Sequence, residues 1–292
     1  MTQAMNKNTL CVYDGPSLID GSRVIVLLTG IDKPSINTKT GDMIQSYIIR
    51  ADVAPDIAAK EGLDEAICGS CQLRPMLVKL SGKTGDVPCY VDKVRGPAGA
   101  YKSWALGRVE CVTPAQASEL ISKLRQCLCG APCKRKNGEY KCGLDHEHIN
   151  SHSRKTCPNP GGSLGTRDGA YGDPAAVPLE VWQDIHITGR KRTSYTHRWE
   201  TSPLLNSVAM ASIDSQTFPD IDDAIKRAKL MGFRWYRVLR NGESKRDDEI
   251  MCPEANPDTD VQCANCGLCN GVGTAKTGRT QKLIGVAIPA IT

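Results

Sequence analysis

The chain predicts an α/β fold: an incomplete (β/α) barrel-like parallel sheet carrying a Cys/His-rich metal-binding insertion. Three observations point there. Short β-branched runs alternate with helical segments through the second half, as in βα units. The 292 residues are 40% hydrophobic, enough to bury a full core. Most of the fourteen cysteines fall into clusters, and the middle cluster interrupts the strand–helix rhythm. The expected division is an N-terminal α/β part over 1–126, a Cys/His insertion over 127–162, and C-terminal βα units over 163–292.

The elements follow in order. Arg23 to Thr29 and Ile44 to Arg50 are apolar runs of buried-strand length, two strands ahead of the first cysteine pair. From Asp52 the pattern turns to Ala, Glu, Lys and Leu, which predicts a short helix ending at Cys68. Pro97 to Leu106 reads as a helix, with Pro97 near its start and Gly107 past its end. Another helix opens at Thr113-Pro114 and closes near Arg125. Beyond Gly162, Gly165 to Asp173 is a strand-to-loop passage, Pro174 to Ile187 a helix, and Thr193 to Thr196 a strand. Ser207 to Ile213 is a strand, and Pro219 to Met231 a helix with Asp220, Asp222 and Asp223 in its first turn. Strands at Trp235 to Leu239, Ile250-Met251 and Lys282 to Ile288 complete the pattern.

Aromatic residues make up 5% of the chain, so Val, Ile, Leu and Ala must build the core, and metal cross-links become more useful. The first residues hold no apolar run of signal-peptide length, and no stretch of about 18 apolar residues occurs anywhere. The expectation is a cytoplasmic protein without a membrane partner, and in a reducing cytosol cysteines at CxxC spacing are ligands or redox thiols. A net charge of +5 permits nucleic acid without demanding it. The Lys134-Arg135-Lys136 run reads as a solvated loop or a phosphate contact.

Three thiol groups carry the chemistry. Cys252, Cys263, Cys266 and Cys269 form a CxxCxxC run with a nearby Cys-Pro, the pattern by which adjacent thiolates reach different irons of one cluster. Zinc also accepts four thiolates tetrahedrally, but a zinc knuckle has no need of the third evenly spaced cysteine, which favours an iron–sulfur cluster. Cys68, Cys71 and Cys89 offer three ligands and an open position, the arrangement of a reactive metal site; completed by Cys11, the same set would serve stability alone. The middle cluster of Cys127, Cys129, Cys133, Cys142, His146, His148, His152 and Cys157 mixes thiolate and imidazole as structural zinc does.

In a barrel-like sheet, residues after the strands share one face where substrate lies. Asp168, Asp173, His197 and Asp214 occupy such positions and are the candidate catalytic residues, for proton transfer or for holding a substrate hydroxyl. Asp173 before Pro174 also suits a helix cap, and His197 among aromatics also suits a packed, hydrogen-bonded role. The chain lacks GxxxxGK[ST], a GxGxxG opening a helix, HExxH and GxSxG, so nucleotide hydrolysis, dinucleotide binding and simple zinc or serine hydrolysis lose support.

The order of Asn37-Thr38-Lys39-Thr40-Gly41, the CxxC with Cys89-Tyr90, Arg167 to Pro174, Tyr195-Thr196-His197-Arg198-Trp199, Ser212-Ile213-Asp214 and the terminal CxxCxxC resembles the gene-product-88-like proteins of phages and prophages. That resemblance implies a phage or mobile-element setting and a cysteine-rich α/β domain, and supplies no reaction. The Cys-Tyr pair and a partial barrel are also similar to radical S-adenosylmethionine enzymes. The chain departs from their CxxxCxxC, since Cys89 lies far beyond Cys71, so this likeness is a fold-level analogy.

Two function classes emerge. One is an iron–sulfur protein performing redox or radical chemistry on a small molecule or nucleotide. The other is a zinc-stabilised module that binds nucleic acid or a protein partner without catalysis.

Overall fold

The computed structural model describes residues 4–33, 35, 37–41, 43–82, 89, 91, 93–123, 134–136, 139–141, 165–185, 191–240, 242–256, 258–259, 261–271 and 283–289. The middle cluster from Cys127 to Cys157 lies outside them, apart from a small hairpin of β5 (Lys134–Lys136) and β6 (Glu139–Lys141), so the expected zinc insertion does too.

Three strands, not two, precede the first cysteine pair: β1 (Thr9–Pro16), β2 (Arg23–Thr29) and β3 (Met43–Arg50). They form an antiparallel meander. β1 escaped notice because Asp14-Gly15-Pro16 reads as a turn and a bulge between Cys11 and Tyr13 breaks the alternation. β2 is buried from Val24 through Leu28, as an unbroken apolar run on a strand covered on both faces requires.

From β3 onward the sheet is parallel. β7 (Gly165–Tyr171) adds to β3, then β8 (Arg192–Thr196), β9 (Met210–Ile213) and β10 (Trp235–Val238) add in chain order. β12 (Gly285–Ile288) follows β10, and β11 (Glu249–Met251) is the outer strand at that end. At the far end β4 (Glu110–Cys111) pairs with β1, so ten strands run β11-β12-β10-β9-β8-β7-β3-β2-β1-β4. The expected α/β class with a largely parallel sheet holds. Among the described residues the order is linear, with β11 and β4 as its two ends, so no closed barrel forms.

The helices are shorter than their sequence spans. The expected 52–66 helix divides into α1 (Pro55–Glu61) and α2 (Glu65–Cys68), because Gly62 turns left-handed at φ 76° and ends the first. α3 (Pro75–Ser81) follows the CxxC, and α4 (Gly96–Ala105) and α5 (Pro114–Lys123) fall where their proline starts place them. The 174–187 span becomes a 3₁₀ turn at Pro174–Ala176 and α6 (Leu179–Ile185), with Pro178 at the break. α7 (Ile221–Leu230) is capped by Asp220, whose carboxylate accepts the Asp223 amide at 2.9 Å.

The two faces of the parallel sheet differ. Ala211, Ile213 and Trp235 pack into the main core with Trp182 of α6 and Ile225 and Ala228 of α7. The alternate positions Met210, Val286 and Ile288, with Tyr195, Tyr236 and Val238, instead form a second core with Cys252 and Cys269. Helices therefore cover one face, and the C-terminal cysteine segment covers the other.

On the helix-covered face, beside Trp235, Arg237 donates to both oxygens of Glu249 at 2.7 and 2.6 Å, and the Trp235 indole adds a third bond at 2.9 Å. Burial opposes ionisation of Glu249. The Arg237 guanidinium, the Arg246 amide and the Trp235 indole outweigh it and hold the carboxyl down at about 2. No described helix is long and apolar enough to cross a membrane.

Candidate functional site

Three of the four acid and histidine candidates come together. Asp173, His197 and Asp214 follow the carboxyl ends of β7, β8 and β9, which are neighbours in the sheet. Asp173 Oδ1 accepts the Thr196 hydroxyl at 2.7 Å and caps the Ala175 amide at 2.9 Å, and Oδ2 accepts the His197 amide at 2.8 Å. The helix cap read from the sequence is therefore present, and the same carboxylate also locks the end of β8. Asp214 accepts the amides of Gln216 and Thr217 and the Thr217 hydroxyl, each at 2.9 Å. The imidazole of His197 reaches toward it, Nε2 standing 3.7 Å from Asp214 Oδ2.

Asp168 does not join this group. It lies within β7 opposite Ser194, and Arg192 Nε stands 2.8 Å from its Oδ2. Arg192 also donates to the Trp182 carbonyl in α6, so the pair faces the helix layer. Burial pushes the Asp168 carboxyl up while Arg192 draws it down. This is a structural ion pair of the main core.

The CxxC turn reaches the same strand ends from the other side. The Cys68 amide completes α2 by donating to the Asp64 carbonyl at 2.9 Å. Gly69 then turns at φ 58°, a conformation that favours glycine, and lies against the Arg198 side chain. Buried Arg74 pins the turn, donating to Asp64 Oδ1 at 2.9 Å, to the Gly69 carbonyl at 2.9 Å and to the Gly62 carbonyl at 2.5 Å. The Asp173 amide bonds the Ile67 carbonyl at 2.7 Å, and the Cys89 amide bonds that of Leu73 at 2.7 Å.

These links bring the three thiols within electrostatic reach of one another. Burial pushes the Cys68 thiol far up, and Cys89, Cys71, Asp64 and Asp173 push it further. Burial likewise lifts Cys71 to about 12, helped by Cys89, Asp173 and Asp214 against the lowering contact of the Leu73 amide. Cys11 belongs elsewhere: it sits on β1 beside Cys111, which removes it as the fourth member of this set.

The C-terminal thiols occupy the other sheet face, and the segment from Cys263 to Gly271 lies toward the opposite strand ends. The amides of Cys263 and Ala264 donate to Lys39 and Thr40, just before β3, at 3.2 and 2.9 Å. Gly267 lies on the Lys191 side chain before β8, and Gly271 lies on Val208 and Ala209 before β9. Arg234, just before β10, donates to Asn270 Oδ1 at 3.2 Å and to the Gly271 carbonyl at 3.3 Å. Cys252, directly after β11, enters the same apolar cluster as Cys269 and is tied to β12 through the Ala287 carbonyl at 2.8 Å.

Burial lifts Cys263 to about 11, with Cys252 adding to it and Arg167 drawing it down. Burial lifts Cys269 to about 12. The Tyr195 hydroxyl, donating to its sulfur, works against that, while Cys252, Cys263 and Cys266 add to it. Sulfurs distant in sequence therefore share one buried neighbourhood. All described cysteines are free thiols.

Among the described residues, no three His, Cys, Asp or Glu side chains stand as a group ready to hold a metal ion. The thiols are neighbours without being drawn onto a common centre.

Arg74, Arg198 and the Tyr195 contact to Cys269 were not legible as site features. Arg74 and Arg198 look like ordinary basic residues, and only the CxxC-Gln72-Leu73-Arg74 proximity hinted at the first. Tyr195 had a signal: with Thr193 it alternates away from Arg192 and Ser194, and so faces the opposite side of β8. No family model, curated protein or solved structure matches this chain.

Proposed function

We propose that the chain is a cysteine-liganded metalloprotein, encoded in a phage or mobile-element setting, that performs redox or radical chemistry on a small molecule or nucleotide. The observation that carries the reading is the meeting of Cys68, Cys71 and Cys89 with Asp173, His197 and Asp214. These residues gather at the carboxyl ends of three adjacent parallel strands, the position where α/β sheets bind their ligands. The unbroken order of parallel strands also supports an incomplete barrel, since right-handed crossovers between successive neighbours fall on one face of such a sheet.

The donor chemistry of the C-terminal group fits an iron–sulfur cluster: four sulfurs, a Tyr195 donor to one of them, and Arg167 to offset negative charge. Cys252, Cys263, Cys266 and Cys269 would hold it, giving up their protons and closing inward on binding. Such a cluster supplies single electrons. Cys68, Cys71 and Cys89 would hold a second metal, with a position left open.

Around that position the chain's own groups have definite tasks. Asp173 holds the end of β8 so that His197 stays beside Asp214. His197 Nε2 is the atom that would give or take a proton, facing at 3.7 Å the Asp214 carboxylate that two backbone amides hold in place. Arg198 against Gly69 brings a cation to the rim, suited to an anionic substrate group.

Anaerobic purification, iron and zinc quantification and an absorption spectrum test the proposal. Bound iron with a visible charge-transfer band, lost in Cys263→Ser/Cys266→Ser, is the expected result. A colourless protein containing zinc alone overturns it in favour of a zinc-stabilised binding module.

A further inference from the structure

Cys11 and Cys111 are far apart in sequence and belong to none of the metal-type clusters. β4 docks on β1 in parallel, and its two residues pair Leu10 with Glu110 and Cys11 with Cys111. The Val112 amide then donates to the Cys11 carbonyl at 2.9 Å, which holds this register. Strands so paired lie about 4.8 Å apart. That falls within the range of about 4.4 to 6.8 Å between Cα atoms across which a disulfide closes.

Directly paired residues of a parallel ladder put their side chains on the same side of the sheet, so the two thiols lie within electrostatic reach of each other, and Cys11 Sγ donates to the Tyr13 carbonyl at 3.2 Å across the bulge. Cys11 is buried and Cys111 is exposed. One sulfur is thus open to a reagent while its partner waits behind it, the layout of an attacking and a resolving thiol.

We infer that Cys11 and Cys111 form a redox-active pair that closes into a cross-strand disulfide when a low-molecular-weight disulfide is the oxidant. The Cys111 thiolate attacks one sulfur of that reagent, forming a mixed disulfide and releasing the first small thiol. Cys11 loses its proton to solvent and attacks the Cys111 sulfur, displacing the second. The protein pair gives up two electrons and two protons, and the reagent is reduced to two thiols.

The bond would fasten the short edge strand β4 to β1 and close a loop from 11 to 111. That loop contains the CxxC turn, Cys89 and α4, so oxidation limits the opening of one wall of the strand-end site. The inference stands apart from the proposed metal chemistry, because neither sulfur belongs to either proposed metal site.

The test uses the full chain as purified, equilibrated in glutathione buffers of rising disulfide fraction, then alkylated, digested and read by mass spectrometry. The expected product is a linked Cys11–Cys111 peptide pair lighter by about 2 Da, the mass of two hydrogens. Its appearance raises the melting temperature, and Cys111→Ser, an exposed change that leaves the core untouched, abolishes both. The inference is overturned if, in the most oxidising buffer, Cys111 carries only glutathione while Cys11 remains alkylatable after denaturation. It is also overturned if the rise in melting temperature persists in Cys111→Ser.

Discussion

The CxxC group and the C-terminal thiol group are both buried, with Cys71 and Cys269 alike pushed up to about 12, but they differ in what surrounds them. Cys68, Cys71 and Cys89 stand at the carboxyl ends of the parallel strands among carboxylates, with Asp64, Asp173 and Asp214 all raising the cost of a thiolate there. Cys263, Cys266 and Cys269 lie toward the amino ends against an apolar sheet face, where Cys252, arriving from the end of β11, joins the same apolar cluster, with Arg167 and the Tyr195 hydroxyl offsetting charge. A carboxylate-rich surround strengthens a bound cation and offers groups that exchange protons. An apolar surround with a few donors holds a compact charged cluster and shields it from water. The contrast separates a reactive face from a holding site within one sheet.

The largest effect that sharpens the contrast comes from Arg74. Arg74→Met leaves Asp64 buried without its cation and frees the carbonyls of Gly62 and Gly69, at a cost of about 3 kcal/mol or more. Chemical denaturation should report that loss. Alkylation followed by mass spectrometry should show Cys68 and Cys71 reacting faster while Cys269 does not change. Equal acceleration of both groups would mean that the two regions are not independent.

Glu249 probes the outer strand β11, which delivers Cys252 to the C-terminal group. Glu249→Gln breaks the bidentate bond to Arg237 on the helix-covered face, on the strand that leads into Cys252, and costs about 3 kcal/mol. The sign of the pH dependence follows from the depressed carboxyl. Its folded value of about 2 lies below the ordinary 4.5, so its contribution is fully present above 4.5 and is lost as pH falls toward 2. Acid unfolding monitored by circular dichroism should therefore have a shallower limb across that window in Glu249→Gln. An unchanged limb would show that the ion pair does not couple to folding.

The smallest change is Tyr195→Phe. Losing one hydroxyl donor to Cys269 costs about 1 kcal/mol, and the thiol moves up from about 12. Alkylation of Cys269 at a fixed alkaline pH should slow, with Cys71 unaffected. A faster reaction would mean that Tyr195 shields the sulfur more than it stabilises the thiolate.

Much of this arrangement was legible along the chain, and the limits are instructive. The strands at Arg23–Thr29 and Trp235–Val238 were visible because a buried strand needs an uninterrupted or alternating apolar run. Asp173, His197 and Asp214 were visible because polar residues directly after such runs fall at strand ends. Asp168 met the same criterion and belongs to the core instead. Arg192 on the next strand pairs with it, and no local pattern announces a partner brought by strand pairing. The Ser207–Ile213 strand begins only at Met210, because Pro203–Ser207 takes a 3₁₀ turn that the apolar residues after it disguise.

By itself the sequence determined the kinds of element, the thiol-rich ligand chemistry and the acids and histidine that end the parallel strands. Those features depend on residue type and on spacings of a few positions, which local sterics and side-chain chemistry impose. Only the tertiary structure decided that the CxxCxxC segment lies toward the strand ends opposite the CxxC turn, that Asp168 is paired with Arg192, and that Cys11 lies beside Cys111. Each of these depends on which strands become neighbours and in what register, and that choice is made by burying whole faces against one another at long range.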